Sequence, residues 1–222
     1  MTSQLVIRYR RRLLIVTLYS IAMGFAEAAV VVYLRLLYYP DGFSFPIRDI
    51  PDIVIGVELG REFATVLMLI AVAGLAAKRF WERFGFFIIS FGIWDIFYYI
   101  ILKLVLDWPG SIFDWDVLFL IPIPWIGPVI APVIVSVIMI ISGILITRLF
   151  MHEIPFKPTM VSWLLGLAGI IAILYTFMRD TDATIRMEMP EPYWYWLFIF
   201  GAGLSVFSFI LSYKRAIKKT KK

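Results

Sequence analysis

Three carboxylic acids stand where the surrounding chain solvates an ion poorly. Glu27 lies in GFAEAAVVVYL (24–34), Glu62 in VELGREFAT (57–65) and Asp95 in FGIWDIFYYIILK (91–103). A charged side chain at the centre of a bilayer costs roughly 2.5–3.5 kcal/mol on insertion scales. Such acids are expected to turn away from lipid and either pair with a cation or hold a proton. The chemistry within their reach is to bind or pass on a proton, a cation or a cationic group.

Positions three and four apart share a helix face, and this spacing sorts the polar residues into stripes. The first stripe is Ser20, Gly24, Glu27 and Val31, with Arg35 at its end. The second joins Glu58, Glu62 and Thr65, with Arg61 one turn from Glu58; the third joins Gly92, Asp95, Tyr99 and Lys103. The expected polar site is therefore Glu27, Glu58, Arg61, Glu62, Asp95, Tyr99 and Lys103. At ~1.5 Å rise per residue the three acids sit about 21, 22 and 16 Å from the basic ends of their helices, close enough in level to converge. The plainer reading is that these groups only fix helix packing through buried pairs.

Asp114 and Asp116 form a second candidate, inside DWPGSIFDWDVLFLIPIPWIGPVIAP (107–132). With Glu58 nearby they offer hard oxygen ligands suited to Ca²⁺ or Mg²⁺. Their spacing fits no established metal loop, and simple solvation is the competing reading. Pro122, Pro124, Pro128 and Pro132 stop a helix from starting early, yet VLFLIPIPWIG is too apolar for a solvated loop. A Pro-rich interfacial or re-entrant segment is expected, since irregular backbone at such depth needs protein or a wet cavity beside it.

The elements that must position these residues follow from composition. Of 222 residues 62% are hydrophobic, and the mean hydropathy is +0.89. Soluble domains hold about 45–50% apolar residues. The chain is read as an all-α, polytopic integral membrane protein, one transmembrane domain over residues 1–222, with six spans. They run over about 13–37, 53–77, 84–106, 128–150, 160–178 and 193–213. The absence of cysteine excludes thiol chemistry, disulfides and iron–sulfur ligation. The lone His152 excludes bis-His haem within the chain, so no cofactor is expected beyond a divalent cation.

Most of the 21 Lys and Arg fall before span one, between spans two and three, after span four, and in the tail YKRAIKKTKK. Ten acids, among them Asp41, Asp52, Asp116 and Glu191, fall in the opposite connections. By the positive-inside rule both termini are cytoplasmic. The lysine tail then faces anionic lipids, and the aromatic clusters YWYW (193–196) and LYY (37–39) mark outer headgroup layers. The location expected is the cell membrane. Arginines followed by an apolar stretch and AEA resemble a cleavable leader, but the run continues through AVVVYL, so a full-length anchor is expected.

No internal repeat is visible. Spans four to six carry stripes of Ser and Gly (Ser136 and Gly143; Ser162, Gly166 and Gly169; Gly201, Ser205, Ser208 and Ser212) that suit close helix packing. Three functions fit: a membrane-embedded site that binds or transports a cation, a non-catalytic subunit of a larger membrane complex, or a lipid-processing enzyme. Membrane protein partners are expected for the second, and nothing points to nucleic acid. Catalysis ranks last, because Arg61 competes for the Glu58–Glu62 pair and the only histidine lies on the other face.

Overall fold

The computed structural model describes residues 3–220. Lys221, Lys222 and the side chain of Lys219, part of the basic tail, lie outside the described residues. Six long helices form the body: α1 (Ser3–Tyr38), α2 (Asp52–Ala76), α3 (Phe80–Leu106), α4 (Ile130–Met151), α5 (Met160–Met178) and, after the five-residue α6 (Asp182–Arg186), α7 (Tyr195–Thr220). Five stretches are long and apolar enough to cross a bilayer: Gln4–Tyr38, Phe80–Leu106, Ile130–Met151, Met160–Arg186 and Tyr195–Lys218. A multi-pass membrane protein follows.

The chain is not purely helical. Residues 107–128 hold an antiparallel hairpin of β1 (Trp115–Phe119) and β2 (Trp125–Pro128), with Asp116 opposite Gly127 and Val117 opposite Ile126. Prolines deny this segment helical hydrogen bonds, and alternating side chains let one strand face bury while the ladder satisfies the backbone. The expected interfacial stretch is thus a packed hairpin, with Ile126 and Asp116 nearly inaccessible. α3 ends at Asp107, which adopts a left-handed conformation (φ 52°). Aspartate is among the few non-glycine residues that tolerate it.

α3 is central and packs against α1 on one side and α4 on the other, while α5 pairs with α7. Glycines set these distances. A Cβ at Gly143 would stand 2.5 Å from the Gly85 carbonyl oxygen, and one at Gly201 would stand 2.8 Å from that of Gly169. At the basic end of the bundle Arg12 donates to Glu82 (2.8 Å) and to the Ala76 carbonyl (3.0 Å). Tyr9 and Thr147 share a hydrogen bond nearby (3.2 Å). These contacts hold the turn of α1 that precedes its apolar run, and the helix continues back to Ser3.

Candidate functional site: a polar chamber among α1, α2, α3 and the hairpin

The polar stripe of α1 faces α3. Ser20 is fully buried and hydrogen-bonds Ser90 Oγ (2.7 Å). At Gly24 the helices nearly touch, since a Cβ there would lie 2.8 Å from the Trp94 carbonyl oxygen. One turn later Glu27 reaches the space where α2 joins the pair. The buried face of α2 is Glu58, Glu62, Thr65, Leu69 and Ala73, which places its acids in the same space.

These side chains wall a cavity of about 540 Å³. Glu27, Glu58, Arg61, Glu62, Asp95 and Tyr99 all line it, together with Arg35, Tyr98 and Asp116. Arg61 bridges two helices: Nη1 donates to Glu27 Oε1, while Nε and Nη2 donate to Glu58 Oε2 (2.9 and 2.7 Å). Thr65 Oγ1 donates to the other oxygen of Glu27 (3.0 Å). Glu27 is therefore fully engaged in spite of its apolar neighbours.

Glu62 and Asp95 are held differently. Both oxygens of Glu62 accept the Leu120 N–H just beyond β1 (3.1 and 2.9 Å), and Asp95 Oδ2 accepts Ser136 Oγ–H from α4 (2.8 Å). Among the described residues no Lys or Arg forms an ion pair with either carboxyl, the two chamber guanidinium groups being committed to Glu27, Glu58 and Asp116. Five carboxyl groups thus face two guanidinium groups around the cavity. At its rim the exposed Asp49 and Asp52 also outnumber Arg48.

The roof is an ion pair between α1 and the hairpin. Arg35 Nη2 donates to Asp116 Oδ1 (2.8 Å), which also accepts the Val117 N–H (2.9 Å). The guanidinium lies over the rings of Trp108 (3.7 Å) and Phe43 (4.1 Å), a desolvated cation–π arrangement. Arg35 Nη1 and Asp116 Oδ2 are buried with no hydrogen-bond partner among the described residues.

Lys103 does not join this group. It is exposed at the end of α3, where it pairs with Asp107 (2.8 Å) and donates to the Pro109 carbonyl (2.9 Å). Its ammonium is held by acceptors of the loop that follows α3, Asp107 and Pro109, and makes no contact with Asp95. Asp114 also stands apart, its Oδ2 accepting the Ser111 N–H (2.9 Å). Among the described residues no group of three or more His, Asp or Glu side chains is arranged to hold a metal ion. Asp116 instead serves Arg35, a pairing whose sole sequence signal was the position of Arg35 two turns beyond Glu27.

No protein-family model, curated protein or solved structure matches the chain.

Proposed function

We propose that the protein crosses the cell membrane six times and binds a positively charged group in this chamber, with Glu62 and Asp95 as the groups that meet it. α2 is the sixth crossing. Its 25 residues reach about 37 Å, and its Glu58, Arg61 and Glu62 turn inward, so the lipid-facing side stays apolar. With the basic connections cytoplasmic, the chamber lies in the outer half of the bilayer.

The observation that carries the reading is the pair of carboxyl groups, Glu62 and Asp95, that form no ion pair among the described residues while Glu27, Glu58 and Asp116 beside them do. A carboxyl that served only to lock packing would be expected to be paired. The acid excess draws cations and repels anions. Among the described residues no group of three acids is arranged to hold a metal ion, and the guest proposed is an organic cation or a proton.

The test is titration of tetramethylammonium into the full chain in nanodiscs. Glu62→Gln and Asp95→Asn keep a side-chain oxygen for Leu120 and Ser136 and remove the charge. Each is expected to weaken binding at least tenfold, about 1.4 kcal/mol. Unchanged affinity in both variants would overturn the proposal.

A further inference from the structure

A second cavity, of about 510 Å³, lies between the α3–α4 pair and the α5–α7 pair. It follows α3 from Trp81 to Asp95, about 21 Å along the helix. Its wall is almost wholly apolar. Three of the serines that line it have spent their hydroxyls elsewhere: Ser208 donates to the Ser162 carbonyl (2.5 Å), Ser205 to that of Gly201 (2.9 Å) and Ser212 to that of Ser208 (3.2 Å). Nothing along this length favours a polar guest.

At one end the cleft meets the polar chamber. Trp94, Asp95, Leu118 and Phe119 line both cavities. The indole N–H groups of Trp94, which lines both cavities, and Trp125, which lines the cleft, are buried with no acceptor among the described residues. A buried donor left unmade carries a desolvation cost, and Trp94 carries one beside the wall that the apolar cleft and the acidic chamber share. A molecule matching this sequence of surfaces has a long apolar chain, an acceptor oxygen at its waist, and a positive head.

We propose that the two cavities hold one molecule, an amphiphile whose cationic head occupies the chamber and whose single chain occupies the α3–α4/α5–α7 cleft. The oxygen between them accepts hydrogen bonds from Trp94 and Trp125. The inference rests on the cation-binding reading of the chamber and adds the substrate class. Charge selects the head, since five carboxyl groups against two guanidinium groups exclude an anionic one. The cleft selects the chain.

The experiment uses the full chain in phosphatidylglycerol nanodiscs, so that no cationic lipid competes. The probe is palmitoylcholine with a photoreactive diazirine at mid-chain, compared with an ester of equal length bearing an anionic head. The expected result is labelling of cleft residues such as Met139 and Leu174 at least fivefold above the anionic probe. Ser142→Trp and, independently, Leu174→Trp narrow the cleft and are expected to abolish that excess while tetramethylammonium still binds, which also reports that they fold. Should both fail to fold, the comparison of the two heads in the unaltered chain decides.

Equal labelling by both probes, or labelling confined to lipid-facing surfaces, would overturn the inference. If tetramethylammonium binds but the chain does not enter the cleft, the shared ligand is wrong and the chamber stands. If neither binds, both fall.

Discussion

Arg35 of α1 and Asp116 of β1, 81 positions apart, form an ion pair at 2.8 Å with almost no access to solvent. This pair ties the hairpin to the helical bundle and closes the chamber. Removing one partner strands the other charge, which costs about 3–5 kcal/mol when the site is buried. Arg35→Met is expected to lower the unfolding midpoint in detergent, followed by tryptophan fluorescence. Arg35→Met combined with Asp116→Leu is expected to recover most of the loss. A single variant as stable as the parent would contradict the role assigned to the pair.

Arg61 neutralises Glu27 and Glu58 and adds positive charge beside Glu62. Arg61→Gln is expected to destabilise the fold by a few kcal/mol. The same change is expected to raise affinity for tetramethylammonium, because the chamber loses its central cation. Opposite effects on stability and affinity separate an electrostatic site from a merely steric one. A fall in both would leave Arg61 as packing alone.

Gly143 and Gly203 give a contrast within the same protein. A methyl at Gly143 meets the Gly85 carbonyl oxygen at 2.5 Å and Ile89 Cγ1 at 2.6 Å, whereas nothing lies within 4 Å at Gly203. Gly143→Ala is expected to cost about 1–3 kcal/mol through overpacking. Gly203→Ala is expected to be neutral or slightly stabilising. Thermal unfolding of the two variants side by side checks the helix spacing directly.

Lys103 holds the Asp107 carboxyl below the usual carboxylate range, by hydrogen bond and by charge. A carboxyl lowered in the folded state adds stability that is present above its unfolded pKa and is lost as pH falls through the folded one. Lys103→Met is expected to return Asp107 to the ordinary range, read by NMR titration. Because Lys103 stands outside the chamber, tetramethylammonium binding should not change. A drop in binding would place Lys103 back in the site.

The lack of native cysteine makes topology directly measurable. Single cysteines at Ser111 and at Lys157 are expected to react on opposite sides of sealed cells with an impermeant maleimide, Ser111 from outside. Labelling of both from one side would remove α4 as a crossing, and labelling of Lys157 in place of Ser111 would reverse the orientation.

Much of the helical frame was legible because apolar length and helical spacing are local properties. The expected fifth span and α5 share the bounds 160–178, and Glu27 of α1, Glu62 of α2 and Asp95 of α3 line one cavity. Helix ends were less legible. α1 and α7 run past their apolar runs, and in α1 Tyr9 and Arg12 meet distant partners on α2, α3 and α4 that no local pattern announces. The hairpin escaped notice because its two strands are short, rich in proline and paired only through the fold. Lys103 shared the stripe of Asp95, but a stripe gives direction around a helix and not the bend of a long side chain toward its end.

The cleft between the two helix pairs is open along one flank, where Trp163, Leu167 and Ile170 are about half exposed. A guest lodged there exchanges sideways with the surrounding leaflet and never needs to dissolve in water. Its occupancy is then set by mole fraction within the membrane sheet, and aqueous concentration is the wrong axis on which to plot it.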